Sequence, residues 1–421
     1  MLYDRHIPPN RCTMSLENQN IVIFSQMQFD SPLESTNFTM AKHLAKDNMV
    51  YYVDRPYTWL DYVKFKNTPG FKTRRPHFFS AANSLIDTEN PNLKIIITPP
   101  VPSINMLPEG KLYRWALKIN EKIVGKRLKK VIEKLGINNY IFINSYNVAF
   151  PSLHKQLKPI LTVYHCVDPL IEPYQTRHGL ISEDILVKDV DMVISTSKEL
   201  CNKKGLLNKN SFFIPNAANI SHSQKALNPE LKTADILKGI KRPIIGYFGN
   251  IERRINYDLV KELVNSNPDK SFVFIGPVDR YYIKEEEYQG DNLFLKGAVP
   301  YELMPAVLKG FDVAIIPFKK DEVSNNIFPL KLFEYLGSGK PVVSTDFNTD
   351  LKDFTGDTVF YCENATDFSE ALNVSLNDND SLKQKRLAVA ADNTWEHRIT
   401  EIKDLLKANL DKKAQRDKVL V

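Results

Sequence analysis

The stretch SNNIFPLKLFEYLGSGKPVVSTD, residues 324–346, decides the fold class of this chain. It contains an apolar helical segment that begins near Pro329, two glycines that end this segment, and a β-branched run typical of a buried strand. Lys331 and Glu334 lie three residues apart at the start of the helix, so their side chains emerge on the same side. The order of helix, turn and strand predicts an α/β sheet, and the two charges predict a ligand-binding corner.

Short apolar strands alternate with helical segments along almost the whole chain. Because the apolar runs are continuous and rich in β-branched residues, they suit strands buried on both faces of a parallel sheet. The predicted strands are IVIFS (21–25), MVYYVD (49–54), KIIITP (94–99), YIFINS (140–145), LTVYHCV (161–167), MVISTS (192–197), FFIPN (212–216), PIIGYFG (243–249), SFVFIGP (271–277), LFLKGAV (293–299), VAIIPF (313–318), PVVSTD (341–346) and TVFYCE (358–363).

These strands form two groups. We expect a flexible tail at residues 1–20 and two Rossmann-like, doubly wound parallel-sheet domains at 21–216 and 242–392, joined by the polar linker 217–241. Ligands of such sheets bind beyond the carboxyl ends of the strands. The expected site is therefore a central cleft that the two domains face.

The composition excludes several classes of protein. The chain has 421 residues, 43% of them hydrophobic and 25% charged, which is typical of a soluble protein of two domains. Its four cysteines lack paired or metal-ligand spacing, which indicates reduced thiols in the cytoplasm. No apolar run reaches the ~18 residues that span a bilayer, and the N-terminus lacks the apolar core of a secretory signal. The net charge of +6 accompanies no nucleic-acid-binding motif, so we expect no nucleic-acid partner.

The loop GNIERR follows a predicted strand and opens a helix. Gly249 lets the backbone approach a ligand closely, and helical N–H groups with Arg253 or Arg254 nearby favour a phosphate. The alternative is a tight turn with solvated arginines. Lys331 would bring an ammonium to the same phosphate, and Glu334 could accept two hydrogen bonds from a ribose diol. The alternative for that pair is a surface ion pair.

Polar residues also follow strands of the first half. LTVYHCVDP ends a predicted central strand with His165 and Asp168, which could deprotonate an acceptor hydroxyl. The alternative is that Asp168 caps the next segment and His165 packs in the core. Ser25 and Ser145 end predicted strands and Asp30 follows one; all three could line the cleft, or serve only in turns and caps.

Several stretches resemble GT-B-type glycosyltransferases, especially glycosyltransferase family 4 and relatives in polysaccharide assembly such as the teichuronic acid glycosyltransferases. Four stretches occur in family order across residues 246–345: GYFGNI, FVFIGPV, LFLKGAVPYELMPAVLKGFDVAIIPF and PLKLFEYLGSGKPVVST. VYHCVD, DMVISTSKEL and FFIPNAAN in the first half are similar to family stretches too. The resemblance therefore covers nearly the whole chain.

The resemblance implies roles for particular residues. Glu334 matches the second glutamate of the family's E-x7-E motif and would hold the nucleotide ribose. Lys331 and the Gly249 loop would hold the diphosphate, and main chain near Val299 would meet the base. Relatives carry His or Asp at the strand end of His165 and Asp168, which favours Asp168 as the base if the enzyme inverts. The implied nucleotide-binding set is Gly249, Asn250, Arg253, Arg254, Val299, Leu330, Lys331 and Glu334.

The sequence also departs from the family pattern. Asn326 stands where the first glutamate of E-x7-E is expected, and Pro329 stands where many relatives have glycine. Proline offers no N–H to a sugar hydroxyl, so the stereochemical outcome stays open. The candidates for the donor sugar or acceptor are Asn326, Phe328, Ser25, Asp30 and Ser145. The resemblance also implies a last helix, residues 393–412, that crosses back to the first domain and is anchored by Trp395.

We therefore expect a glycosyltransferase that moves a sugar from a nucleotide diphosphate sugar, with UDP favoured, to a hydroxyl of a glycan or lipid-linked acceptor in surface polysaccharide biosynthesis. It would need no cofactor, since the nucleotide diphosphate sugar is a substrate, and no metal, because Lys331 and the arginines would stabilise the departing diphosphate. The D-x-D patterns Asp189/Asp191 and Asp378/Asp380 are discounted as metal sites, since one leads into an apolar strand and the other lies in the polar loop NDNDS. The alternatives are a nucleotide-sugar 2-epimerase and a non-catalytic scaffold subunit.

The helix predicted at residues 111–135 is basic and amphipathic. It would either lie on anionic lipid at the inner face of the cell membrane or be an ordinary Rossmann helix with a solvated face.

Overall fold

The computed structural model describes residues 16–31, 35–80, 83–171, 174–283 and 290–419. The chain divides into two compact units. The first unit comprises Met1–Pro215 and Ile399–Val421, and the second comprises Asn216–Arg398. Each unit is built on its own sheet, as the two groups of predicted strands indicated.

The first unit contains an eight-stranded sheet in the order β3-β4-β2-β1-β5-β6-β7-β8. All neighbouring strands in it are parallel except β3 and β4, which are antiparallel. Its strands are β1 (Asn20–Ser25), β2 (Met49–Val53), β3 (Leu85–Asp87), β4 (Leu93–Ile96), β5 (Ile141–Ser145), β6 (Leu161–Cys166), β7 (Met192–Ser195) and β8 (Ser211–Phe213). Its first six helices are α1 (Thr36–Leu44), α2 (Trp59–Lys64), α3 (Pro69–Arg74), α4 (Lys111–Lys134), α5 (Leu180–Asp189) and α6 (Lys198–Gly205).

The second unit contains a six-stranded, wholly parallel sheet in the order β11-β10-β9-β12-β13-β14. Its strands are β9 (Ile244–Phe248), β10 (Ser271–Ile275), β11 (Leu293–Leu295), β12 (Val313–Ile316), β13 (Val342–Thr345) and β14 (Val359–Cys362). Its helices are α7 (Ile220–Ser223), α8 (Tyr257–Ser266), α9 (Met304–Gly310), α10 (Leu330–Gly337), α11 (Lys352–Thr355), α12 (Ala365–Ser375) and α13 (Asp380–Ala391).

The predicted strands all overlap strands of the structure, and the α/β class is confirmed. The central strands β5, β6, β10 and β12 are buried along their whole length, which explains their continuous apolar composition. β3 was not predicted, because its three residues, LID, give too short a pattern to distinguish an edge strand from a loop.

The stretch 217–241, which we predicted to be a linker, lies within the second unit. Ile220, Ala226 and Leu237 from this stretch are buried in the unit's hydrophobic core. α7 packs closely on α10, since a Cβ atom at Gly337 would lie 2.4 Å from Oγ of Ser223. The sequence of this stretch is mostly polar because only a minority of its residues face the core.

The last helix, α14 (Trp395–Val419), is longer than the predicted 393–412. Trp395 is 4% exposed and lies in the second unit, whereas the residues from Ile399 onward group with the first unit. There, Lys403 pairs with Asp47 at 2.5 Å and Asn409 accepts a hydrogen bond from Asn210 at 2.8 Å.

Candidate functional site

Two glycine turns lie at the carboxyl ends of neighbouring strands of the second unit. Gly249 follows β9 with φ +143°, and Gly276 follows β10 with φ +156°. The N–H of Gly249 donates to O of Ile275 at 2.9 Å, and a Cβ atom at Gly276 would lie only 1.9 Å from O of Gly249. The close approach of the two turns therefore leaves no space for a side chain at position 276. The positive φ at both positions favours glycine.

Lys331 reaches this glycine turn from the first turn of α10. Its Nζ donates to Oη of Tyr247 at 2.5 Å and lies 4.0 Å from the centroid of the Tyr247 ring and 5.1 Å from that of Phe318. A Cβ atom at Gly249 would lie 2.4 Å from Nζ. Burial, reinforced by the positive charge of Arg254, lowers the pKa of Lys331 to about 7. The attraction of nearby carboxylates is therefore too weak to restore the usual pKa of Lys331. An anion bound beside the ammonium would raise this pKa.

The two arginines of the loop have different surroundings. Arg254 pairs with Glu252 and lies 5.5 Å from the Phe318 ring centroid. Nη2 of Arg253 is buried and has no hydrogen-bond partner among the residues that the structure describes. An unsatisfied guanidinium N–H favours an anionic ligand. The carbonyl of Asn250 accepts the Tyr247 hydroxyl at 2.8 Å, which fixes the loop beside Lys331.

Glu334 lies one turn further along α10 and is 8% exposed. Its Oε1 accepts the hydroxyl proton of Tyr301 at 2.8 Å. Tyr301 begins a short 3-10 turn after β11, and Val299 lies half-buried in the same connection. Leu330, the first residue of α10, is also half-buried. Four stretches of chain thus meet at the carboxyl edge of this sheet: the Gly249 loop, the Gly276 turn, the Val299–Tyr301 connection and the start of α10.

The candidates for the donor sugar lie in the loop before α10. Asn326 is 2% exposed; its Nδ2 donates to O of Glu322 at 2.6 Å, and its Oδ1 has no partner among the described residues. Phe328 is 3% exposed and stacks on Phe333 with a centroid separation of 5.3 Å. Phe328 is therefore a packing residue in this structure, because its ring belongs to the hydrophobic core.

In the first unit, His165 is the penultimate residue of β6 and is 3% exposed. Asn37 donates from Nδ2 to Oγ of Ser145 at 2.7 Å, and that Oγ lies 3.0 Å from Nδ1 of His165. Burial lowers the pKa of His165 to about 4, so the ring is neutral at pH 7. Ser145 can donate its own proton to Nδ1, which leaves Nε2 as the protonated nitrogen. Asp168, three residues later, is exposed.

The other two predicted first-unit residues organise the loop after β1. The buried Oγ of Ser25 accepts from the hydroxyl of Tyr52 at 2.7 Å and from N of Met27 at 2.9 Å. Asp30 pairs with the fully buried Arg74 at 2.5 Å, and this hydrogen bond lowers the pKa of the Asp30 carboxyl. Both residues hold the loop in place, as the turn-and-cap alternative states.

Sequence reasoning missed four contributors: Tyr247, Tyr301, Asn37 and Arg74. Tyr247 lies inside a strand and Arg74 at the end of a short helix, so no local pattern marks them as site residues. Tyr301 carried one signal, because it closes the stretch KGAVPY in which Val299 was singled out.

The carboxylates of Asp189, Asp191 and Asp378, from the two D-x-D patterns, have structural partners. Asp189 pairs with Lys155 at 2.6 Å, Asp191 pairs with Lys413 at 2.7 Å, and Asp378 pairs with Arg386. Within the described parts of the chain, no three His, Cys, Asp or Glu residues come together in a way that could hold a metal ion. The described helices include none that is long and apolar enough to cross a membrane.

Two surface cavities lie away from these residues. A cavity of about 480 Å³ in the first unit is lined by residues that include Leu161 and Asp191 at the amino ends of β6 and β7. One of about 690 Å³ in the second unit is lined by residues that include Ser271 and Leu293, the first residues of β10 and β11. Because Rossmann-like sheets bind ligands at the opposite, carboxyl edge, the Lys331 corner remains the candidate site.

The two parallel-dominated sheets define the GT-B fold, and the comparisons with known proteins identify the class as glycosyltransferase. Residues 230–394 match the family of glycosyl transferases group 1, which confirms the predicted resemblance. This segment contains the Gly249 loop, Tyr301, Lys331 and Glu334.

Particular relatives are similar over more of the chain. A protein of Bacillus subtilis (strain 168) named as a teichuronic acid biosynthesis glycosyltransferase, TuaH, is 24% identical over 277 residues, 59% of this chain and 67% of that protein. Sucrose-phosphate synthase from Thermosynechococcus elongatus has a TM-score of 0.63 and 16% identity and covers 93% of this chain and 99% of its own. HepE of Anabaena in complex with UDP has a TM-score of 0.61 and 15% identity, with 92% and 100% covered.

Proposed function

We propose that this glycosyltransferase takes its sugar from a nucleotide diphosphate sugar, with UDP as the nucleotide, and transfers it to a hydroxyl of a glycan or lipid-linked acceptor in surface polysaccharide biosynthesis. The observation that carries the proposal is the convergence of Lys331, the Gly249 loop and Glu334 at the carboxyl edge of the second unit's sheet. The HepE complex with UDP supports the choice of nucleotide, and the TuaH likeness supports the choice of acceptor class.

The second unit binds the donor. The ammonium of Lys331 and the unsatisfied N–H of Arg253 receive the diphosphate, whose negative charge grows as the sugar–phosphate bond breaks. Because Gly249 has no side chain, the Lys331 ammonium can lie against the loop backbone, where the diphosphate would approach both. The carboxylate of Glu334 accepts the ribose hydroxyls.

The first unit supplies the acceptor-side chemistry. Asp168 is the general base that takes the proton of the acceptor hydroxyl, because it is an exposed carboxylate at a strand end. His165 is neutral and its Nδ1 is engaged by Ser145, so it serves as a hydrogen-bond donor through Nε2 rather than as the base.

A membrane-bound acceptor would be reached through a surface of the first unit. Three apolar residues of α4, Leu112, Trp115 and Ile119, are 60%, 61% and 36% exposed, whereas Val124, Leu128 and Val131 of the same helix are buried. Exposed lysines flank the outward stripe, including Lys111, Lys118 and Lys122. An exposed aromatic and aliphatic stripe beside lysines suits the surface of an anionic bilayer.

The test is calorimetric titration of UDP and GDP into the wild-type protein and into Glu334→Ala. Binding of UDP with micromolar affinity, weakened at least tenfold in the variant, is the expected result. If neither nucleotide binds at millimolar concentration, the proposed function is wrong. Incubation with UDP-sugars in the absence of acceptor distinguishes a glycosyltransferase from a nucleotide-sugar 2-epimerase. An isomerised sugar among the products would indicate the epimerase.

A further inference from the structure

The proposed nucleotide site around Lys331 and Glu334 also contains a tyrosine and a histidine to which the proposed function gives no role. The hydroxyl of Tyr301 donates to Oε1 of Glu334 at 2.8 Å. His222 Nε2 lies 3.0 Å from O of Tyr301, and the two rings stack with centroids 4.7 Å apart and planes 25° apart. His222, Tyr301 and Glu334 therefore form a continuous series of contacts, and Glu334 is the residue proposed to bind the ribose.

The series joins three separate parts of the second unit. Glu334 lies on α10, Tyr301 follows β11, and His222 lies on α7, inside the stretch that looked like a linker. The contact of Ser223 with the Gly337 region holds α7 against α10. His222 is thus held in place by the same packing that positions Glu334.

The chemistry of Glu334 explains why such support is needed. A carboxylate that is 8% exposed is unfavourable unless its oxygens accept hydrogen bonds. A hydroxyl–carboxylate hydrogen bond is charge-assisted and directional, so it selects one rotamer of the glutamate side chain. An ionised carboxylate has about four acceptor positions, so Tyr301 leaves capacity for a vicinal diol.

Resting on the proposed nucleotide site, we propose that Tyr301 is a positioning residue that orients the Glu334 carboxylate for both hydroxyls of a ribose, and that His222 holds Tyr301 in position. The site accordingly selects ribonucleoside diphosphates over their 2′-deoxy counterparts. Tyr301 acts through Glu334 and needs no contact of its own with the nucleotide.

The experiment is calorimetric titration of UDP and 2′-deoxy-UDP into wild type, Tyr301→Phe, Glu334→Gln and the double variant. We expect Tyr301→Phe to weaken UDP binding roughly tenfold, the scale of one hydrogen bond to a charged group. It should weaken 2′-deoxy-UDP binding less, so the ratio between the two affinities falls. The double variant should bind UDP no more weakly than Glu334→Gln alone, because the two residues act as one unit.

Two further variants define the role. His222→Phe keeps an aromatic ring but removes the hydrogen bond, and should change the same affinity ratio by a smaller factor. Tyr361→Phe removes a tyrosine hydroxyl that bonds Thr355 Oγ1 at 3.0 Å, and should leave both affinities unchanged. Thermal unfolding of each variant checks that it is folded.

The outcomes separate the two proposals. Unchanged or tighter UDP binding in Tyr301→Phe, or equal weakening of both nucleotides that adds to Glu334→Gln, would overturn the role of Tyr301 while the nucleotide site stands. Failure of the wild-type protein to bind either nucleotide would overturn the proposed function and this inference together.

Discussion

The ammonium of Lys331 occupies the space that a side chain at position 249 would fill: a Cβ atom there would lie 2.4 Å from Nζ. The two residues are far apart in the sequence. They meet because β9 ends, and α10 begins, at the carboxyl edge of the same sheet. The turn and the cation thus form one element of the site.

Gly249→Ala should therefore disable nucleotide binding. The new methyl group would displace Nζ and would also be strained at φ +143°. We expect UDP affinity to fall at least tenfold, measured by calorimetry. Gly290→Ala is the matched control in the same unit, since the nearest atom of the described residues would lie 4.0 Å from the new Cβ and the φ of Gly290 is outside the left-handed region. Wild-type affinity in Gly249→Ala would contradict the close contact.

Lys331→Met should stabilise the unliganded protein at neutral pH. In the folded state Lys331 loses its proton near pH 7, whereas in the unfolded state it keeps the proton until about pH 10.5. Between these values the unfolded state binds more protons, so this group makes stability rise with pH by up to about 1.4 kcal/mol per pH unit. The variant lacks that rise, and its advantage over wild type should shrink from pH 7 to pH 9.5.

Denaturant unfolding across this pH range measures the difference between the two proteins. Lys261→Met, a change of an exposed lysine in the same unit, is the control and should show no pH-dependent advantage. A constant difference between Lys331→Met and wild type would show that Lys331 does not titrate in this range. The variant should also bind UDP at least tenfold more weakly, because the diphosphate loses its ammonium.

Asp168→Asn should reduce kcat by roughly 100-fold to 10,000-fold, the usual contribution of a general base, with UDP affinity within twofold of wild type. His165→Gln should cost less, because the neutral His165 donates a hydrogen bond and does not take the proton. Retention of more than a tenth of wild-type kcat in Asp168→Asn would rule out its role as the base.

The exposed stripe of α4 predicts binding to anionic vesicles. Co-sedimentation with phosphatidylglycerol-containing vesicles should be lost in Leu112→Ser/Trp115→Ser and weakened about tenfold or more in Lys118→Gln/Lys122→Gln, at roughly 1 kcal/mol for each lysine. Leu206→Ser is the control, since Leu206 is 80% exposed on the same unit. Equal binding by all variants, or equal binding to neutral vesicles, would remove this surface from the proposal.

The sequence by itself determined the local elements. The β-branched runs predicted every strand of both sheets except β3, and the spacing of α10 placed Lys331 and Glu334 on one side of one helix. These properties follow from the strand and helix periods, which depend on neighbours along the chain. The resemblance to glycosyltransferases rested on the family-like stretches and their order, and the family match over residues 230–394 confirms it.

The tertiary structure decided which distant groups meet and how deeply each is buried. It brought Tyr247 and Gly249 to Lys331, brought Tyr301 and His222 to Glu334, and placed Phe328 in the core. It also made His165 neutral by removing it from water, a property that no sequence spacing encodes. Pairings across a sheet edge and desolvation depend on contacts between segments far apart in the chain, so only the folded molecule could specify them.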